Sequence, residues 1–317
     1  MESSVCLQFE NNHLVADLFG QHNEYLEHIA KQLDVQTSSR GSKVALSGQQ
    51  ENVDHAQAVL TALYERLEKG LMISSSDVDA TIRKLGAKVK KDLPDGVLLE
   101  EEVIIKTKKR LITPYTPGQQ QYIKMLYDKE LVFAQGPAGT GKTYLAVAVA
   151  VAMYLSHKVE RIILARPAVE AGEKIGFLPG DMKEKVDPYM QPLYDALHDM
   201  LPSEKVQKNL DQRIFEIAPL AFMRGRTLKN AFVILDEAQN ATPVQMKMFL
   251  TRLGEGSRMV INGDISQIDL PPNIDSGMKE AMNKLASVDE IGQIKFDEKD
   301  VVRHSLVAKI IQAYDNQ

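Results

Sequence analysis

The chain has 317 residues, enough for two domains of ordinary size. Charged residues at 26% and hydrophobic ones at 44% exclude wholesale disorder, a collagen-like repeat and a disulfide scaffold. With 38 Lys and Arg against 43 Asp and Glu the net charge is −5, so any nucleic-acid contact must come from a local patch rather than from bulk attraction to phosphate.

The first residues carry Glu2 and lack a basic stretch with an apolar segment behind it, so no secretory signal is expected. Cys6 is the single cysteine, which forbids an intramolecular disulfide or a multi-thiolate metal site and suggests a reducing compartment, the cytoplasm. From there to residue 69 the apolar periodicity switches between two and about 3.6. Val5, Leu7 and Phe9 mark a strand, Leu14, Val15 and Leu18 a helix, and Tyr25, Leu26, Ile29 and Leu33 a second helix. Val35 marks a strand, Val44 and Leu46 another, and Val53, Ala56, Val59, Leu60, Leu63 and Leu67 a third helix. This β-α-α-β-β-α order resembles a KH domain, in which a GxxG turn between the first two helices clamps a single-stranded nucleic-acid backbone. The turn here reads Gly20-Gln21-His22-Asn23, with Asn in place of the second glycine. Asn tolerates positive φ, yet its side chain fills the space where phosphates would approach. A backbone clamp and a structural or oligomerisation role both stay open.

Residues 71–111 read as a linker, with the run Ser74-Ser75-Ser76, then Gly86, Pro94 and Gly96, and one short helix around residues 78–85. The apolar Val103-Ile104-Ile105 is followed by Lys106, Lys108, Lys109 and Arg110. These cations fit a solvated strand edge and a phosphate-backbone contact equally. The expected division is therefore a KH-like domain over 1–70, a linker with a basic strand over 71–111, and a larger domain over 112–317.

In the larger domain the apolar run Leu131-Val132-Phe133-Ala134 reads as a buried strand. Gly136-Pro137-Ala138-Gly139-Thr140-Gly141-Lys142-Thr143 follows and fits GxxxxGK ending in Ser or Thr at every fixed position. The glycines let backbone N–H groups turn onto phosphates, Lys142 reaches the β- and γ-phosphates, and the Thr143 hydroxyl coordinates Mg²⁺. The helix that follows adds its N-terminal dipole. Its apolar run, residues 144–155, is well short of the roughly 20 residues that span a bilayer, so no membrane segment is expected.

A second run, Ala231-Phe232-Val233-Ile234-Leu235, ends in Asp236-Glu237. Asp236 at the carboxyl end of a central strand can hold Mg²⁺ through its water shell, and Glu237 can deprotonate an attacking water. The pair suits hydrolysis rather than transfer to a small acceptor, and no NKxD tetrapeptide is present to read guanine. A third run, Met259-Val260-Ile261, leads into Asn262-Gly263-Asp264 and Gln267, which can sense or orient the γ-phosphate. A further strand, Arg161-Ile162-Ile163-Leu164-Ala165, ends in Arg166-Pro167. Alternating strands and helices imply an α/β, doubly wound parallel sheet with its ligand at the carboxyl edge.

Taken together these motifs resemble the PhoH-like proteins, P-loop ATPases related to the core of superfamily 1 helicases. The resemblance runs over about 113–314 and rests on GPAGTGKTYLAVA (136–148), ARPAVEAGEKIGFLPGD (165–181), KVDPY (185–189), MRGRTL (223–228), LDEAQN (235–240), QMKMFLTR (245–252), GDISQIDLP (263–271) and VVRHSLVAKI (301–310). It implies a RecA-like fold and Mg²⁺-dependent ATP hydrolysis coupled to RNA, as an RNA helicase or RNA-processing ATPase. The alternative is a nucleotide-dependent switch acting on a protein partner such as a ribosomal RNA-processing endonuclease. By resemblance Gln119 reads the adenine edge, with Gly118 where the family usually places Asn; Gln267 matches a helicase glutamine, and Arg303 a cation facing the triphosphate. One RecA-like domain cannot clamp and step along a strand alone, so the resemblance implies a ring, a hexamer, in which Arg224, Arg226 or Arg252 of a neighbour completes the site. The segment 169–189, with Gly172, Gly176, Gly180, Lys174, Lys183 and Lys185, reads as a loop excursion toward RNA or the next subunit.

Overall fold

A computed structural model describes residues 2–68, 70, 72–89, 103–167, 182–302, 307 and 310. The chain divides into two compact units, Met1–Glu101 with Val302–Gln317, and Glu102–Val301.

The first unit contains β1 (Glu2–Gln8), α1 (Asn12–Phe19), α2 (Glu24–Leu33), β2 (Val35–Arg40), β3 (Lys43–Gln49) and α3 (Gln50–Glu68), the β-α-α-β-β-α order read from the sequence. Its sheet is antiparallel with the order β1-β3-β2. Leu18, Ile29, Val44, Leu46, Val53, Leu60 and Leu63 are fully buried between sheet and helices, so the periodic positions form the core. Between α1 and α2 the chain turns through Gly20 (φ 74°), His22 (φ 53°) and Asn23 (φ 64°). Gly20 is required there, because a Cβ would lie 2.8 Å from the Tyr25 ring.

The helix expected inside the linker is α4 (Ser75–Val89), and it packs against this unit. A reciprocal cap starts it: Ser74 N–H and Oγ donate to Asp77 Oδ2 at 2.9 and 2.5 Å, and the Asp77 N–H returns to Ser74 Oγ at 3.4 Å. Arg66 Nη2 then donates to Asp77 Oδ1 at 2.7 Å, His28 Nε2 pairs with Asp79 Oδ1 at 2.6 Å, and Val78 enters the core.

The second unit runs β4 (Ile105–Lys106), β5 (Leu111–Ile112), α5 (Pro117–Asp128), β6 (Leu131–Gln135), α6 (Lys142–Leu155), β7 (Arg161–Arg166), α7 (Met182–Met200), α8 (Ser203–Asp211), β8 (Phe215–Pro219), β9 (Ala231–Leu235), α9 (Pro243–Leu250), β10 (Arg258–Gly263), α10 (Gly277–Lys284) and β11 (Ile291–Lys295). Strands β4 and β5 form a short hairpin, and the others make a six-stranded sheet, parallel throughout, in the order β11-β6-β10-β9-β7-β8. Alternate residues of the central strands enter two separate cores: Val132, Ile162, Ile234 and Val260 on one face, Phe133, Ile163, Val233 and Ile261 on the other. Coverage on both faces is why these strands read as unbroken apolar runs. The P-loop strand β6 is separated from the acid-bearing β9 by β10, so the fold is α/β and RecA-like. Among the described residues, no helix is long and apolar enough to cross a membrane.

Candidate nucleotide site

Because the sheet is parallel, the carboxyl ends of β6, β10, β9 and β7 share one edge, and residues far apart in sequence meet there. Gly263 pairs with Gln135 and Leu235 with both Ile261 and Ala165. The Gly136 N–H donates to Gly263 O at 3.1 Å and the Asp236 N–H to Ala165 O at 2.8 Å, which fixes the loops after β6 and β9 to their neighbours. Between them lies a cavity of about 280 Å³ lined by Ala138, Gly139, Gly141, Lys142, Thr143, Tyr144, Asp236, Glu237, Gly263, Asp264 and Gln267.

The loop admits only glycine at its entrance. Gly136 has φ 156° and a Cβ there would lie 2.5 Å from Phe296 Cβ, while Gly139 and Gly141 sit at φ 86° and 80°. Thr140 donates its hydroxyl to Pro137 O at 3.0 Å and closes the loop on itself. Lys142, at the start of α6, is buried and gives its Nζ to Gly136 O at 2.6 Å and Pro137 O at 2.8 Å. An incoming phosphate has to draw the ammonium from these carbonyls. Thr143 Oγ1 donates to Asp236 Oδ1 at 2.5 Å, which sets two hard oxygen donors side by side. That donor set fits Mg²⁺, which takes few protein ligands and fills its octahedron with water and phosphate oxygens.

Glu237 has φ 53° and ψ 35°, a left-handed conformation that costs about 1 kcal/mol or more for a residue with a Cβ. It stands half-exposed at the cavity, and Gln239 holds it there: Gln239 Nε2 donates to Glu237 Oε2 at 2.7 Å and to Gln267 O at 3.1 Å, and Gln239 Oε1 accepts the Asp264 N–H at 3.0 Å. One buried amide thus ties the loop after β9 to the loop after β10. Asp264 is itself buried; its Oδ1 accepts the N–H and Oγ of Ser266, and its Oδ2 meets no hydrogen-bond partner. Arg166, at the end of β7, donates from Nε and Nη2 to Asp236 Oδ2 at 2.9 and 2.5 Å and from Nη1 to Tyr189 O at 2.7 Å. Behind the strands Tyr122 donates to Asn262 Oδ1 at 2.7 Å. Burial pushes that phenol well above its ordinary pKa, the Asn262 bond draws it back in part and the Asp236 charge raises it further, so the hydroxyl stays a neutral donor.

The structure brings together Lys142, Thr143, Asp236, Glu237 and Gln267 around one cavity, with the exposed Gln267 lining it. Gln119 is outside that lining. Its Oε1 accepts the Tyr115 N–H at 2.7 Å and its Nε2 donates to Thr140 O at 3.0 Å, so its amide braces the phosphate loop from α5. A side chain at Gly118 would collide with the Asp300 carboxylate, whose Oδ1 would lie 2.5 Å from its Cβ and accepts the Thr116 hydroxyl at 2.5 Å. Arg303 and residues 168–181 of the glycine- and lysine-containing segment lie outside the described residues. Of the three arginines expected to act in trans, Arg226 forms a bidentate pair with Glu216 at 2.5 and 2.7 Å, a hydrogen bond that raises its pKa against the effect of burial. Arg252 donates to the carbonyls of Met248 and Arg226. Arg224 is exposed, beside Phe222, which is 54% exposed, and Gly225 at φ 76°.

The sequence assigns no role to Arg166 or Gln239, and to Asp264 only a place in a segment within reach of the γ-phosphate. All three lie inside the quoted motifs, and the usable signal was position: each stands at or just beyond the carboxyl end of a buried strand.

A family profile described as "PhoH-like protein" matches residues 111–315. The chain is 50% identical to a PhoH-like protein of Bacillus subtilis (strain 168) over 95% of its own length and 93% of the relative's. It is 44% identical to a PhoH-like protein of Mycobacterium tuberculosis (strain ATCC 25618 / H37Rv), over 95% of this chain and 85% of that one. Protein PhoH of Escherichia coli (strain K12) matches at 46% identity over 62% of this chain and 56% of its own. Solved helicase structures superpose loosely; the UvsW helicase from Bacteriophage T4 aligns over 62% of this chain and 64% of its own at 11% identity, with a TM-score of 0.36. A profile match over residues 111–315 and relatives alike over nearly the full length show that the chain belongs to the PhoH-like protein family.

Proposed function

We propose that this protein is a Mg²⁺-dependent ATPase whose hydrolysis is coupled to RNA. The observation that carries the hydrolytic part is the Thr143–Asp236 pair at 2.5 Å with Glu237 held beside it by Gln239. In this reading the loop 136–141 and Lys142 bind the β- and γ-phosphates, and Thr143 and Asp236 hold Mg²⁺. Bound there, the metal neutralises charge on the phosphate oxygens. Glu237 accepts a proton at its carboxylate from the water that attacks the γ-phosphate, and Gln267 orients that water or senses the phosphate. Asp236 keeps Oδ1 toward Thr143 because Arg166 occupies Oδ2.

Coupling to RNA is supported by the exposed Lys106 and Lys108 and by the KH-like order of the first unit with its left-handed turn. We further propose a ring of copies in which Arg224 of one copy reaches the phosphates of the next, supported by its exposure while Arg226 and Arg252 are engaged within the chain. A cytoplasmic setting is supported by the single cysteine, Cys6. The test is the steady-state ATPase rate with and without a panel of structured and unstructured RNAs, with Glu237→Gln as blank. Stimulation by RNA is expected; a normal basal rate that no RNA changes would sink the coupling and leave a nucleotide switch on a protein partner in its place.

A further inference from the structure

The fold divides the three cations that follow β4, Lys108, Lys109 and Arg110. Lys109 Nζ donates to His198 O at 2.7 Å, its N–H to Met200 O at 3.2 Å, and Arg110 Nη2 lies 3.5 Å from Asp199 Oδ1. These two residues pin the β4–β5 hairpin to the end of α7. The hairpin tip is rigid: Thr107 donates its N–H and hydroxyl to Arg110 O at 2.9 and 2.8 Å, and its Oγ1 accepts the Arg110 N–H at 3.0 Å. Lys108, immediately before the two pinned residues, is exposed and meets no acid among the described residues except across an open cavity.

That cavity measures about 420 Å³, larger than the one at the phosphate loop. Lys108 lines it from the hairpin, Tyr154 and His157 from the end of α6, Glu160 from the approach to β7, and Lys205 from the first turn of α8. Lys205 Nζ lies 5.9 Å from the Tyr154 ring centre, and Phe215 braces that ring edge-on at 5.0 Å. The one acid, Glu160, accepts Asn230 Nδ2 at 3.2 Å. The carbonyls that end α6 are capped by Ser156, His157 and Lys158 N–H groups, which limits the negative end of that helix. Two lysines and an imidazole around a braced aromatic ring suit phosphate oxygens with a planar group nearby. Helix α6 joins the two sites, Lys142 at one end and Leu155 at the other, so they stand about 20 Å apart at 1.5 Å per residue.

We propose that this cavity is a second phosphate site, separate from the phosphate loop, that takes the backbone of a single nucleic-acid strand. The proposal deepens the RNA-coupled reading and rests on it for the identity of the ligand; a free polyphosphate shares the chemistry.

The experiment measures binding of a labelled single-stranded RNA to the full-length protein and to Lys108→Ala/Lys205→Ala by fluorescence anisotropy across a salt series. A parallel calorimetric titration uses inorganic triphosphate on protein pre-saturated with ADP. The double variant is expected to bind RNA at least about tenfold more weakly, with a salt slope lower by about 1.4, two contacts at about 0.7 each, and an unchanged basal ATPase rate. RNA binding in the wild type that the double variant retains with the same slope overturns this site and leaves RNA coupling standing. No RNA binding by the wild type removes the RNA-coupled reading; a triphosphate signal lost in the double variant then keeps the site as a polyphosphate site, and absence of that signal overturns it.

Discussion

Arg166 gives two of its hydrogen bonds to one oxygen of Asp236, while Thr143 takes the other oxygen, so the carboxylate that lines the cavity is locked in one rotamer from behind. The pair is nearly out of water, at 15% and 4% side-chain exposure. Removing one partner from a buried ion pair costs about 3–5 kcal/mol, because the remaining charge stays desolvated.

Arg166→Ala is therefore expected to lower the urea midpoint substantially and to raise the Mg²⁺ concentration needed for half-maximal hydrolysis. Arg166→Lys keeps the charge without the fork and should fall between. A variant with wild-type stability and an unchanged Mg²⁺ half-point would show that the pair does not orient Asp236.

Gln239 offers a separate test, since its amide reaches three groups in two loops. Gln239→Ala should reduce the single-turnover hydrolysis rate about 10- to 100-fold, or about 1.4–2.8 kcal/mol of barrier. Nucleotide affinity should stay within about threefold, because none of the three bonds involves the phosphate loop. Loss of affinity with the chemical rate intact would assign Gln239 to binding rather than to positioning Glu237.

The left-handed backbone of Glu237 makes an unusual stability ranking testable. Glycine is ordinarily the more destabilising substitution, yet here Glu237→Gly relieves strain that Glu237→Ala retains, by about 1 kcal/mol. The Gly variant should unfold at higher urea than the Ala variant, with both inactive. Glu237→Gln should keep nucleotide bound while hydrolysis falls about 10²–10⁴-fold. An Ala variant more stable than the Gly variant would deny the strain, and a Gln variant that hydrolyses normally would deny the base.

What the sequence made legible follows from how local each signal was. The apolar runs of β6 and β9 announce burial on both faces, and the residues after them, Lys142, Thr143, Asp236 and Glu237, inherit their place at the sheet edge from that. Arg166 carries the same positional signal, but an arginine ending a strand also reads as a surface charge. Only the pairing of Ala165 with Leu235 sets it against Asp236. Gln119 shows the reverse case. Its motif is recognisable, but its use here, on Tyr115 N–H and Thr140 O, depends on where α5 meets the phosphate loop. The start of α4 was hidden by three serines that read as linker; the Ser74–Asp77 reciprocal cap makes them a helix start instead.

The three candidate arginines separate by stability and activity together. Arg226→Ala breaks a partly exposed bidentate pair with Glu216 and should cost about 1 kcal/mol of folding stability. Arg252→Ala loses bonds to two carbonyls and should also destabilise. Among the described residues the Arg224 side chain makes no such bond, so Arg224→Ala should leave the urea midpoint within about 0.5 kcal/mol of wild type while ATPase activity falls about 10³-fold if it acts on a neighbour's phosphates. Mixing inactive Arg224→Ala with inactive Glu237→Gln distinguishes trans from cis action. In a mixed assembly some sites pair an intact Glu237 with an intact Arg224 from the adjoining copy, so activity should reappear on mixing. A mixture as inactive as its components, from proteins shown to co-assemble, would rule out Arg224 as the residue donated across the interface.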